Sequence, residues 1–215
     1  MQRFEHVAGT AGLNRFVWNM RYPDAESVPD DMDWGDSVTG PLAPPGRYTV
    51  ELGDQAQPFE IRMDPRLGVS DDDVRRQFAT LIRLRDGLSA THAAVKQIRR
   101  MRRQVDDWVS RSPELGSGAA ALKERLAPIE EELLQVRLLR AEDTVNLPPK
   151  LNHKLSALAS RIGAADAAPT TQQEAVASEL LAAVDTQLAR LREVVATDLA
   201  AFNGLVRESG LAPIG

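Results

Sequence analysis

Ser70-Asp71-Asp72-Asp73-Val74-Arg75-Arg76-Gln77-Phe78 opens forty-one residues, through Ser110, in which neither proline nor a helix-ending glycine pattern appears. Ser70 reads as an N-cap, and the three aspartates lie at the positive end of a helix. Val74, Phe78, Leu81, Leu88, Val95, Val105 and Val109 recur at multiples of three or four, the period of a helix face. Arg85, His92 and Arg102 share that stripe, so the seam is amphipathic. At ~1.5 Å per residue the helix is roughly 60 Å long. A compact globule of this chain length has a radius of gyration of only about 17 Å. The molecule is therefore expected to be elongated.

Downstream, Ser112-Pro113 and Gly116-Ser117-Gly118 are expected to break the helix. Leu122, Leu126, Ile129, Leu133 and Val136 mark a second, with Pro128 expected to kink or split it. Pro148-Pro149 opens a third, striped by Leu151, Leu155, Leu158 and Ile162 and closed by Gly163. Thr171 and Glu174 fit a capping box. A fourth stripe runs from Val176 through Leu188 to Val206 and ends near Gly210. Stripes of this regularity need partners, which points to an antiparallel bundle or a long helical hairpin.

Upstream the texture changes. Seven of ten aromatic residues and seven of thirteen prolines fall in residues 1–69. Period-2 alternation occurs around Phe16-Trp18-Met20, Tyr48-Val50-Leu52 and Phe59-Ile61-Met63, the mark of half-buried strands. Gly53-Asp54-Gln55-Ala56 separates the last two as a hairpin loop, and residues 23–46 form an acidic Pro/Gly-rich loop. The fold class expected is α+β: short antiparallel β in residues 1–66, then an elongated helical bundle in residues 67–215.

Several function classes are disfavoured. The chain has 215 residues and a net charge of −5, against the basic balance usual in nucleic-acid binders. Cysteine is absent, which removes disulfides, thiolate nucleophiles and cysteine-ligated zinc. No apolar run approaches the ~20 residues of a membrane span, and Met1-Gln2-Arg3-Phe4-Glu5-His6 has no signal-like apolar stretch. His6, His92 and His153 lack metal-ligand spacing, so His92 is expected to be packed in the seam and His153 exposed. Asp24, Glu26, Asp30, Asp31, Asp33 and Asp36 offer oxygens to calcium, but the run lacks the glycine and distal glutamate of an EF-hand loop. A solvated loop is the simpler reading. Arg99-Arg100-Met101-Arg102-Arg103 is the strongest basic cluster, with only Trp108 near it for stacking. Pairing with Glu130, Glu131 or Glu132 is expected instead. Trp18 and Tyr48 should lie in the sheet core, which leaves mainly Trp34 and Tyr22 free for sugar stacking; core packing or docking against another domain is the favoured reading of these aromatics. No nucleophile elbow or phosphate-cradling loop is present. No catalytic, cofactor-binding or metal residue is assigned, and the chain alone is expected to have no enzymatic activity.

One resemblance adds to this reading. Gly12-Leu13-Asn14-Arg15-Phe16-Val17-Trp18-Asn19-Met20-Arg21-Tyr22-Pro23, followed by Gly40-Pro41-Leu42-Ala43-Pro44-Pro45-Gly46-Arg47-Tyr48-Thr49-Val50, resembles an Ig-like module. That module, similar to one in the flagellar hook-cap protein, lies near the C-terminus of bacterial sortilin-like β-propeller proteins, often labelled BNR-repeat glycosyl hydrolases. Met63-Asp64-Pro65-Arg66, the long helix, Leu147-Pro148-Pro149-Lys150-Leu151-Asn152-His153-Lys154-Leu155 and Asp198-Leu199-Ala200-Ala201-Phe202-Asn203 continue it in order. The resemblance implies a C-terminal fragment of an extracytoplasmic protein, with an upstream propeller as partner. It also implies Ig-like strands before Gly12, so the sandwich is expected to be incomplete and open to a homo-oligomer through its edge. The function implied is a non-catalytic structural and interaction module. The alternative is an accessory, substrate-contacting part of a glycosyl hydrolase-like enzyme.

Overall fold

The structure is a computed structural model and describes residues 9–29 and 39–210. Its backbone is one long helix, α1 (Asp71–Arg111), against which every other helix except the last packs directly. The Ser70 hydroxyl caps it by accepting the Asp73 N–H at 3.1 Å. Buried Val74, Leu84, Leu88, Val95, Ile98 and Val105 trace its core-facing side.

After a 3₁₀ turn at Pro113–Leu115 the chain reverses into α2 (Gly116–Leu133). The break is shorter than expected, since Gly116, Ser117 and Gly118 form the first turn of α2. Gly118 packs closely there: a Cβ on it would stand 2.7 Å from Leu205 Cδ1, so the end of that side chain would have to shift. Pro128 does not split α2. Leu126 and Ile129, on either side of it, are both buried in the core, and that packing holds the helix through the missing hydrogen bond. Val136 lies past the end of α2 and is exposed.

A loop containing the 3₁₀ turn Ala141–Val145 leads to α3 (Leu151–Ile162). Next comes α4 (Thr171–Val194), then a π-helical turn at Val195–Leu199, then α5 (Ala200–Glu208). The cap of α4 is Thr170 with Gln173, one residue before the expected pair. The π turn has a cause in the stripe. Two four-residue steps in a row, Leu191 to Val195 to Leu199, overshoot the 3.6-residue turn, and a wider turn absorbs the drift. Phe202 and Val206 are buried beyond it.

Cross-contacts fix the directions. Asp106 pairs with Lys123 and Arg99 with Glu130, so α2 runs antiparallel to α1. Gln77 reaches Ile162 while Gly87 lies beside Leu155, so α3 is antiparallel too, end to end with α2. Arg76 pairs with Glu174 and Gly87 touches Leu181, so α4 is parallel to α1. The result is an up-down-up bundle of three layers: α1, then α2 with α3, then α4 with α5. The first and last layers pack together as expected, but in parallel.

The sheet is one antiparallel hairpin, β1 (Gly46–Leu52) and β2 (Gln55–Ile61). Its loop is only Gly53-Asp54, with Gly53 at φ 56°, as a type II′ turn requires. The strand expected around Phe16–Met20 does not form. Met20 is left-handed at φ 57°, the Asn19 side chain accepts the Arg21 N–H, and Trp18 Nε1–H donates to the Arg21 carbonyl. Those local bonds replace a ladder, and a single bridge, Arg21 with Leu42, remains. The described β structure is thus a hairpin and a bridge, without the two facing sheets of a sandwich.

Two predictions follow from the bundle. Leu155 is fully buried between α1 and α4, so Leu155→Ala should lower the unfolding free energy by about 2–5 kcal/mol in urea. An unchanged midpoint would mean α3 is not docked. In the 139–147 loop, the Leu139 N–H and then the Arg140 N–H donate to the Asp143 carboxylate and hold its pKa below the ordinary 3.8. A lowered carboxylate stabilises above its ordinary value and loses that effect as the pH falls through the lowered one. Amide exchange at Leu139 and Arg140 should therefore rise, beyond its intrinsic pH dependence, below pH 3.8, and D143A should show the open loop at neutral pH.

Candidate interaction surface

Residues 20–29 and 39–45 form an extended arm and its return, which tie the hairpin to α1. The Tyr22 N–H donates to Pro41 O at 2.9 Å, and the Ala43 N–H donates to Met20 O at 2.7 Å. Arg21 Nη1 donates to Gly40 O, and the Gly40 N–H donates to the Asp24 carboxylate. The approach is tight: a Cβ on Gly40 would stand 2.0 Å from Tyr22 O and 2.5 Å from Pro23 O.

Glu26 is the anchor on α1. Its N–H donates to Ser89 Oγ at 3.1 Å, its carbonyl accepts from His92 Nδ1 at 2.5 Å, and its carboxylate pairs with Lys96. Three residues on one face of α1, over about two turns, thus bind one residue of the arm. Arg85 Nη1 adds a bond to Pro23 O, and Ala25 and Val28 are buried beside them. His92 is buried in the seam as expected. Its Nδ1 must carry the proton it gives Glu26, and its Nε2 has no partner among the described residues.

Aromatic side chains join arm to hairpin. Trp18 lies 6.1 Å from both Tyr48 and Phe59, which stack at 5.7 Å across the strands. Burial, then the charge of Tyr22, raises the Tyr48 pKa, and its hydroxyl donates to Pro44 O. Tyr22, expected to be free, packs edge-on against Phe78 of α1 at 4.8 Å. Trp34, its expected partner, lies outside the described residues, as do His6, Asp30, Asp31, Asp33 and Asp36. Asp24 and Glu26 are committed to Gly40 and Lys96. No group of three or more metal-ligating side chains occurs among the described residues.

Two arginines of the basic run, Arg99 and Arg102, turn inward, while Arg100 and Arg103 are exposed. Arg99 Nε meets Glu130 at 2.8 Å, and Arg102 takes the other carboxylate oxygen. Glu130 is buried, so two guanidiniums bracket one desolvated carboxylate. Glu132 pairs with Lys150 instead. Trp108 is half-buried under Arg111, 5.2 Å away. His153, expected on the surface, is half-buried.

The hairpin and the segment that precedes the arm leave apolar side chains in solvent. Leu13 is 99% exposed, Val17 71%, Leu52 76% and Val50 55%, with Phe16 and Phe59 partly exposed beside them. Beneath, a cavity of about 340 Å³ lies between the arm, Ile61, Met63, α1 and α3, walled by Phe78, Leu81, Leu84 and Leu155. No helix is long and apolar enough to cross a membrane among the described residues. No family model, curated protein or solved structure matches this chain.

Gly40→Ala should separate the return chain from the arm. Exchange of the Tyr22 and Ala43 amides should rise about tenfold or more, a loss of roughly 1.4 kcal/mol locally, while the bundle melts as before. Unchanged protection at both amides would show that the close approach does not matter.

Proposed function

We propose that this chain is a non-catalytic structural and interaction module of a secreted, extracytoplasmic sortilin-like β-propeller protein. The observation that carries the reading is the contrast between the two parts of the chain. The bundle buries most of its stripes and exposes large apolar side chains chiefly in the loop at Leu139 and Val145, whereas the hairpin and the segment before the arm leave Leu13, Val17, Val50 and Leu52 in water. Val50 and Leu52 share one face of β1, and exposed apolar side chains on one face mark a surface that meets another protein. The residue patterns around Gly12–Pro23 and Gly40–Val50 support an Ig-like neighbourhood and a propeller as that protein.

The test is to co-express the tagged chain with the sortilin-like propeller of its own genome. Co-purification should occur and should be lost, with the melting temperature unchanged, in a Val17→Asp/Leu52→Asp double variant. Absence of binding by the wild-type chain would overturn the proposal. So would saturable binding of oligosaccharides to the chain, which would favour the accessory role in a glycosyl hydrolase-like enzyme.

A further inference from the structure

The two edges of the hairpin are not equivalent. A two-residue loop is closed by a hydrogen-bonded pair, here Leu52 with Gln55, and such pairs alternate along the ladder. Arg47, Thr49 and Glu51 of β1 therefore turn their N–H and C=O groups outward, as do Ala56, Pro58 and Glu60 of β2. Pro58 has no N–H, so the outer edge of β2 is interrupted at its centre. The outer edge of β1 is complete. All three of its residues are exposed, and no backbone group among the described residues bonds to them.

We propose that β1 pairs edge to edge with β1 of a second copy, antiparallel, about a two-fold axis through Thr49. The strand is complementary to itself in this register. Arg47 falls opposite the partner's Glu51, Glu51 opposite the partner's Arg47, and Thr49 opposite the partner's Thr49. Tyr48 then lies beside the partner's Val50 on the apolar face. Opposite charges, paired threonines and aromatic–β-branched neighbours are the pairs that stabilise antiparallel strands. A contact in which each residue meets its mirror assignment closes on itself as a dimer. The product is a four-stranded sheet, β2-β1-β1-β2, whose outer edges are both guarded by Pro58. This inference rests on reading the hairpin as an interaction element, but it uses the strand's main chain, whereas propeller docking uses its apolar face.

Sedimentation equilibrium over a concentration series tests it. The wild-type chain should dimerise reversibly, more weakly in high salt. R47E sets like charges opposite at two sites and should weaken the dimer about tenfold, and R47E/E51R should restore it. T49P removes an outward donor without touching the hairpin's own ladder and should give a monomer that melts like the wild type. A wild-type chain monomeric at its highest soluble concentration would overturn the proposal, as would a dimer indifferent to R47E and T49P. A monomer that still captures the propeller would refute self-pairing alone, and a dimer that ignores the propeller would refute docking alone.

Discussion

The unbroken length of α1 is the constraint on which the other elements depend. A helix of 41 residues cannot satisfy its apolar stripe against itself. The rest of the chain supplies what covers it. No single later helix antiparallel to α1 is long enough, so α2 and α3 share that layer in line. Thr171 to Glu208 then runs nearly the full length as the third. Val95 and Val105, both fully buried, lie along α1 as the layers close around it. The π turn at Val195–Leu199 shifts the phase of the third layer's stripe between Leu191 and Phe202, both of which stay buried.

Apolar stripes alone would leave the layers free to slide, and buried polar groups set their register. Glu130 between Arg99 and Arg102 fixes α2 on α1. Removing the carboxylate would strand two guanidiniums, and that penalty disfavours a shifted pairing. Gln77 does the same for α3, giving its side-chain amide to the carbonyls of Ile162 and Ala165 near the end of that helix, where backbone acceptors lack partners. Glu26, itself exposed, holds the arm with all three of its polar groups. Each device joins segments far apart in sequence.

That is why the helices were legible and the arm was not. Capping, period and breakers are local, so Ser70, Gly163 and the stripes located the helices to within a few residues. The errors near Gly116 and Thr171 are boundary errors of the same local kind. The pairing of the Arg99–Arg103 run with Glu130 could be anticipated from a basic cluster facing an acidic one. Alternation at Phe16, Trp18 and Met20 matched a strand equally well, but period 2 cannot report a left-handed Met20 or an Asn19 side chain that takes the next-but-one N–H. Nor could it show that Tyr22 would find Phe78, since that contact depends on the anchoring of Glu26 some distance along α1. The unequal edges of the hairpin were written in Pro58 from the start, but became readable only once the register placed it opposite Thr49.

The direction in which stability flows follows from these contacts. A two-stranded hairpin is at best marginal in water by itself. This one has Val50 and Leu52 in solvent, and only its Tyr48–Phe59 end is covered, by Trp18. Ile61 and Met63 meet the bundle at the cavity, and the arm's hold on α1 passes through Arg85, Ser89, His92 and Lys96. The bundle therefore holds the hairpin in place and receives little in return. Such an arrangement wastes apolar surface in a solitary molecule. Under the proposed role the hairpin is the part presented to a partner, and the long helix is its rigid mount.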